Sequence, residues 1–272
     1  AAAARADGAG HATVACATIR AGMWPHLVFL LFVALGVYAQ NVTGFALALI
    51  LLGLIGATDL MPLTDAANAV TVMVLATACA FLYRRWPLRL ERSLWPAVGA
   101  SVVGAIAGTL LLMWLADAAY EVLRLLLGLC IVACALVLWR AAEPWDAMSP
   151  PRSFALAGGI SGVLSGMFGA PGPPMVYLMY RQPLDPARIQ ASLILFFGIG
   201  GLLRLAIVVP AGQFSLRAVA LSAEALPVVF LVTALAAGRP PPMPPKVLKA
   251  IVCVLLLASG AEMIGAAVAA IG

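Results

Sequence analysis

The residues able to do chemistry in this chain are few, and almost all sit inside apolar sequence. Gln40, Asn41 and Thr43 fall in "VYAQNVTGFALALI", and Ser165 precedes "FGAPGPPMVYL". Arg188 lies in "DPARIQAS", Arg204 in "GGLLRLAIVVP", Glu224 in "LSAEALPVV" and Glu262 in "SGAEMIG". Amides, hydroxyls and arginines can hold an anion through hydrogen bonds and charge, with no covalent bond broken. An ionisable residue within an apolar span points to function by default. The plainer alternatives are that Arg204 snorkels to the outer headgroups, that Arg188 anchors the start of its helix, and that Glu224 pairs with a neighbour rather than carrying a coupling proton.

Covalent chemistry finds no comparable support. "GISG", Gly159 to Gly162, matches the Gly-x-Ser-Gly of rhomboid intramembrane proteases, yet a nucleophilic serine needs a base to take its proton. The two histidines, His11 and His26, lie in the N-terminal tail and at the edge of the first apolar segment. Cys130 and Cys134 share a helix face, but small apolar packing is the simpler reading, so no metal or other cofactor is expected. A nucleotide-binding P-loop motif does not occur. An enzyme is not expected.

The elements that position these residues follow from composition. The chain is 64% hydrophobic and 10% charged with a mean hydropathy of +1.07, where a soluble domain carries about 25% charged residues. Several apolar stretches approach the roughly 20 residues that cross a bilayer. This is a polytopic membrane protein with the lipid bilayer as its solvent. The net charge of +5 then reads as topology. Nucleic acid is excluded as a partner, since the basic residues punctuate apolar runs instead of lining one face.

Charge, proline and glycine divide the chain into a tail at 1–24, expected to be disordered, and ten helical pieces. The pieces are 25–39, 45–57, 65–83, 94–115 and 121–139, then 153–168, 173–181, 187–209, 216–237 and 246–270. They form a first transmembrane repeat at 25–140, a polar proline-rich cytoplasmic linker at 141–152 and a second repeat at 153–272. The repeat rests on two ungapped overlays. "DAANAVTVMVLATACAFLYRR" from Asp65 lies on "DPARIQASLILFFGIGGLLRL" from Asp185, a shift of 120 residues. "VLRLLLGLCIVACAL" from Val122 lies on "VLKAIVCVLLLASGA" from Val247, a shift of 125. Asp65 and Asp185 read as helix N-caps.

Each half opens with an interrupted segment. The most basic loop, Arg84 to Arg92, belongs in the cytoplasm, and keeping Arg239, Lys246 and Lys249 there as well requires 153–181 to enter and leave on the same side. Three full spans plus a hairpin per half make the halves inverted, with both termini outside. The expected fold is therefore all-α, two inverted repeats of about five helical segments each, with a broken or re-entrant helix pair opening each repeat. Freed N–H groups near Phe45 and Pro173 could meet an anion at the midplane. One helix terminus contributes about 0.3–1 kcal/mol, far less than the cost of burying an unpaired anion. Gln40, Asn41, Thr43 and Ser165 are the nearest extra donors, although they could equally cap the broken ends. Gly162 with Gly166, and Gly104 with Gly108, read as close helix packing.

The two breaks carry a resemblance. "VYAQNVTGFALALILL" resembles the first signature of the TauE/SafE sulfite exporter family, a polar pair followed by Thr-Gly-Phe-Gly, with Ala46 in place of the last glycine. "GGISGVLSGMFGAPGPPMVYLMY" is similar to the second, a glycine-rich run into Gly-Pro-Pro, and "PARIQASLILFF" resembles the Arg-Ala-(Ser/Thr)-Leu stretch that follows it. The resemblance spans nearly all of 25–270. It implies an anion path between inverted repeats, export of sulfite or related sulfonates across the cell inner membrane, and a homodimer. Together with the reading of the breaks and of the buried charges, it makes Gln40, Asn41, Thr43, Gly44, Phe45, Ser165, Gly169, Gly172, Pro173, Pro174, Arg188 and Arg204 the candidate substrate-binding residues. Secondary transport by alternating access, coupled to the proton gradient, is expected; a passive channel of the same architecture, or a permease importing a related anion, are the alternatives.

Overall fold

The computed structural model describes residues 24–58, 60–84, 92–118, 120–139, 144–169, 172–238 and 245–271. Among them are ten α-helices and no strand. They are α1 (Trp24–Thr43), α2 (Ala46–Thr58), α3 (Leu63–Arg84), α4 (Trp95–Ala118), α5 (Tyr120–Trp139), α6 (Pro151–Phe168), α7 (Pro173–Tyr180), α8 (Pro186–Val208), α9 (Leu216–Gly238) and α10 (Pro245–Ile271). Helices α1, α3, α8, α9 and α10, and α4 with the turn before it, are each long and apolar enough to cross a membrane. Apart from Trp24, the tail expected at 1–24 lies outside the described residues, as do residues 85–91 of the basic loop and residues 239–244.

The expected pieces match these helices to within a few residues, except at the end of α1. The first piece, expected to stop at residue 39, runs on to Thr43 and is 20 residues long, about 30 Å. The polar residues do not break it, because they bond back into it: Asn41 Nδ2 donates to Val37 O at 2.9 Å and Thr43 Oγ1 to Ala39 O at 2.8 Å. The chain then reverses. Gly36 of α1 lies against Leu47 of α2, and Ser161 of α6 lies against Met175 of α7, so both interrupted segments are helical hairpins.

Backbone-to-backbone contact sets the rest. Gly158, Gly162 and Gly166 of α6 sit on Ala97, Ser101 and Ala105 of α4, while Gly104 and Gly108 of α4 sit on Gly159 and Val163. The two helices run parallel with no room between them; a Cβ on Gly108 would lie 2.0 Å from Val163 O. Close approach of this kind replaces the hydrophobic drive that lipid does not supply. Helix α3 crosses α8 antiparallel: Thr71 meets Gly201, Ala78 meets Gly198, and Phe81 clusters with Ala191. Helix α5 meets α10 antiparallel, with Gly128 on Gly260 and Cys253 Sγ 3.7 Å from Ala135 O. Helix α1 runs parallel to α9, tied by His26 to Glu224 at one end and Asn41 to Thr233 at the other.

Of the two expected N-caps, Asp185 holds the position and Asp65 does not. Helix α3 starts two residues before Asp65, whose Oδ1 instead accepts the Ser215 hydroxyl at 2.6 Å. Ser215 is itself the cap of α9, accepting the Ala218 N–H at 3.0 Å. Asp185 holds the N-cap position of α8, but its side chain makes no cap bond.

The α4–α6 seam gives a direct test. Gly108→Ala or Gly166→Ala should lower stability in detergent by about 1–3 kcal/mol, the usual cost of overpacking. Gly99→Ala, on the same helix with open space at its Cβ position, should be neutral or stabilising by up to about 1 kcal/mol. Thermal unfolding of the three purified variants checks both halves of the expectation.

Candidate functional site

At the first break, Gly44 takes a left-handed φ of +88° and its N–H closes on Gln40 O at 2.7 Å. This is a glycine C-cap, and it packs hard on α8: a Cβ there would lie 3.2 Å from Gln190 Cα. Ending α1 leaves carbonyls without intrahelical donors. Gln190 Nε2 donates to Asn41 O, and the Tyr180 hydroxyl donates to Thr43 O at 2.8 Å. Phe45 packs edge-on against the Tyr180 ring, centroids 6.3 Å apart. Asn41 Nδ2 also reaches Thr233 Oγ1 at 3.2 Å, and Thr43 Oγ1 lies 3.5 Å from the Phe45 N–H. Gln40 is 1% exposed, and its Nε2 has no hydrogen-bond partner among the described residues.

At the second break, Gly169 has φ +64° and closes on Ser165 O at 2.8 Å. It packs on α3, where a Cβ would lie 2.5 Å from Thr71 Oγ1. The open carbonyl here is that of Gly166, which accepts Arg204 Nε at 3.0 Å and Thr109 Oγ1 at 3.4 Å. An Arg204 terminal nitrogen reaches Thr71 Oγ1 at 2.8 Å and Ala67 O at 3.4 Å. Arg204 is 1% exposed. It turns inward to the break and does not snorkel outward.

The N-terminus of α7 differs from expectation. Pro173 and Pro174 carry no N–H, and the Met175 N–H is taken by Ser161 Oγ at 3.0 Å. The helix end therefore offers a ligand at most the N–H of Gly172. The two prolines that mark the break in the sequence also strip it of donors. Ser161, which could be mistaken for a nucleophile, is a helix cap supplied from the neighbouring helix. Gly172 itself has an ordinary φ of −76°, and a Cβ on it would meet the Leu164 side chain. Ser165 is buried and faces α8 at Gly200.

The two breaks share one construction. Gly44 and Gly169 are related by the same 125-residue shift as the C-terminal overlay, and so are Asn41 and Gly166. Each carbonyl of that second pair receives an N–H from α8. The donors Gln190 and Arg204 are 14 residues apart on that helix, about 21 Å. The Ala78–Gly198 crossing falls between them, so the breaks straddle the crossing instead of facing each other across it.

Other candidates fall elsewhere. Arg188 is two residues from Gln190 and so points to the other side of α8; it is exposed, with Nε 4.0 Å from Asp185 Oδ2. Glu224 pairs with His26 at 2.8 Å, and Glu262 is exposed. Sequence reasoning missed Gln190, Tyr180, Thr71, Thr109 and Thr233. A glutamine inside an apolar helix was a readable signal for Gln190. The threonines gave none, since threonine in a membrane helix usually bonds its own preceding turn.

Arg204 defines what the arrangement can do. Its partners are two carbonyls and a hydroxyl, and among the described residues no carboxylate bonds it. A buried cation solvated only by neutral dipoles is costly and favours an anion nearby.

Comparison with known proteins agrees with that chemistry. A family model described as sulfite exporter TauE/SafE matches residues 28–263. The chain is 34% identical over 240 residues to the probable sulfite/organosulfonate exporter TauE of Cupriavidus necator, covering 86% of this chain and 92% of that protein. It is 28% identical over 179 residues to the probable inner membrane transporter protein TsaS of Comamonas testosteroni, covering 65% of this chain and 74% of that protein. No solved structure matches it significantly.

Removing the α7 cap should be felt as lost stability. Ser161→Ala leaves the Met175 N–H without its acceptor and should cost about 1 kcal/mol, read as a lower unfolding temperature with anion flux retained.

Proposed function

The chain belongs to the sulfite exporter TauE/SafE family of membrane transporters, and we propose that it is a secondary transporter that exports a small sulfur-containing anion, sulfite or an organosulfonate, by alternating access coupled to the proton gradient. The observation that carries this reading is Arg204: a cation inside the helix bundle, held by neutral oxygens at a helix break. An anion arriving there gains the charge interaction that the protein leaves unused.

The path runs between two inverted repeats, 25–140 and 153–272, joined by a cytoplasmic linker at 141–152. What supports inversion is the reciprocity of the contacts. Shifting by 120 residues turns the Thr71–Gly201 contact into Ala191–Phe81, and Ala78 and Gly198 are each other's equivalents. The helices α3 and α8 so related run antiparallel. With the Arg84–Arg92 loop in the cytoplasm, the start of α1 is extracytoplasmic, both termini lie outside, and each hairpin is re-entrant. The first break then sits toward the cytoplasm and the second toward the outside. The functional unit is a homodimer.

Substrate contacts fall to the side chains that close the breaks. Gln40, Asn41, Thr43 and Gln190 serve the cytoplasmic break, while Ser165, Thr71 and Arg204 serve the outer one. Gly44, Phe45, Gly169, Gly172, Pro173 and Pro174 shape the backbone that holds them. Arg188, exposed at the cytoplasmic start of α8, draws anions toward the first break. Because Asn41, Thr43, Gln190 and Arg204 already bond protein oxygens, substrate enters by exchanging those bonds, and the exchange loosens a hairpin tip from α8.

Flux of sulfite and organosulfonates into proteoliposomes, with and without a pH gradient, tests the reading. Arg204→Gln should reduce flux by about tenfold to a hundredfold, since hydrogen bonds made by a charged group are worth about 1.5–3 kcal/mol. Arg204→Lys keeps the charge without the forked geometry and should retain part of it. An absence of flux for every sulfur anion overturns the proposal, as does normal flux in Arg204→Gln.

A further inference from the structure

We infer that a cavity of about 500 Å³ at the extracytoplasmic end of the molecule is a second anion site, an outer vestibule that binds an alkyl organosulfonate with its sulfonate on Arg217. Calling this end extracytoplasmic, and choosing sulfonate, rests on the transport reading above. The cavity lies between the start of α1 (Pro25, His26), the α2–α3 connection (Leu60, Met61, Pro62) and the start of α9 (Arg217, Leu221). None of its lining residues is among those that form or close either break.

Arg217 is placed against two general preferences. It is the second residue of α9, where the helix dipole opposes a cation, and it stands on the face where basic residues are disfavoured. Asp65 and Glu224, which bond residues beside Arg217 and across the cavity mouth, are each engaged elsewhere. Asp65 accepts the Ser215 hydroxyl, and Glu224 is engaged with His26 at 2.8 Å. No carboxylate among the described residues pairs with Arg217; Asp59, beside Leu60, lies outside them. The guanidinium therefore keeps its charge and donors for the cavity it lines.

The volume selects the ligand. A bare sulfite is far smaller than 500 Å³, a size suited to molecules with an organic portion. Leu60, Met61 and Leu221 supply an apolar wall for an alkyl tail, and Arg217 supplies the paired N–H donors that suit a sulfonate's oxygens. Glu224 is not among the residues lining the cavity, but it is bonded at 2.8 Å to His26, which is.

A charge-selective labelling experiment tests the site without relying on flux. In a variant with all five native cysteines replaced, Met61→Cys places a thiol in the cavity wall. An anionic methanethiosulfonate reagent added outside should modify it at least about tenfold faster than a cationic one, as expected for a cleft of one sign. Arg217→Gln should abolish that preference, and butanesulfonate should protect the thiol in liposomes of zwitterionic lipid alone. Equal rates for the two reagents, a preference unchanged by Arg217→Gln, or protection only when phosphatidylglycerol is present would each overturn the inference, the last by assigning the cavity to a lipid headgroup. If Met61→Cys does not fold, Leu60→Cys provides the same readout. Organosulfonate flux measured in the same liposomes separates the two proposals: charge selectivity without flux leaves the vestibule standing and removes the transport reading, and flux without selectivity does the reverse.

Discussion

A helix that ends in a buried interior leaves carbonyl groups that no water reaches, and each one left unpaired costs several kcal/mol. This chain ends two helices that way, and the donors that repair both come chiefly from one helix, α8. Gln190 caps Asn41 O and Arg204 caps Gly166 O, with the Tyr180 hydroxyl adding a bond to Thr43 O. The remaining architecture makes these reaches possible. The glycine seam between α4 and α6 presses α6 inward until Gly166 O is within reach of Arg204, and the α1–α9 ties hold Asn41 beside Gln190. A glycine at each reversal, with φ near +88° and +64°, lets the chain turn without a Cβ striking α8 or α3.

The two repairs are not electrically alike, and the difference bears on selectivity. Gln190 caps with a neutral amide, whereas Arg204 caps with a full charge and also bonds Thr71 and Ala67. Three oxygen dipoles can orient a guanidinium, but they do not neutralise it. The interior near the second break is therefore positive, which repels cations and lowers the cost of bringing an anion out of water. At the first break, the amide and hydroxyl groups can orient a ligand without adding charge. Two breaks of similar backbone form thus do different work.

Much of the fold was legible because membrane helices are delimited by coarse signals. Nine of the ten helices fell within a few residues of the boundaries that charge, proline and glycine imply. The exception is instructive. Gln40, Asn41 and Thr43 look like a break but extend α1, because a threonine or asparagine can return its donor to a carbonyl four residues back. The glycine after them is the true reversal. The direction of Arg204 was not legible, since four residues from the end of a helix a long side chain can turn either way. Its inward course depends on a carbonyl of α6 that only the fold brings near. The cap on α7 was hidden for the same reason: Ser161 and Met175 are separated by the whole turn, and "GISG" shows nothing of its partner.

The same contacts limit where the proposed alternating-access cycle can find its motion. The α4–α6 seam has backbone against backbone along five glycines, so sliding there would meet carbonyl oxygens at once. Those two helices must move as one body. The hairpin tips are different: each is fastened to α8 by a few side-chain hydrogen bonds, individually worth about 0.5–1.5 kcal/mol net, more where a charge takes part. A substrate that satisfies the same donors can offset the loss of those bonds, whereas nothing in solution can substitute for the packed seam. The α3–α8 crossing is intermediate, touching closely at Ala78 and Gly198 but with larger side chains on either side. The compliant surfaces thus carry Asn41, Gln190 and Arg204, whereas the rigid one is built on five glycines. On the proposed function, such a division lets ligand exchange at a break become relative movement of hairpin and core, because the bonds that an anion would replace are the ones that hold the tips in place.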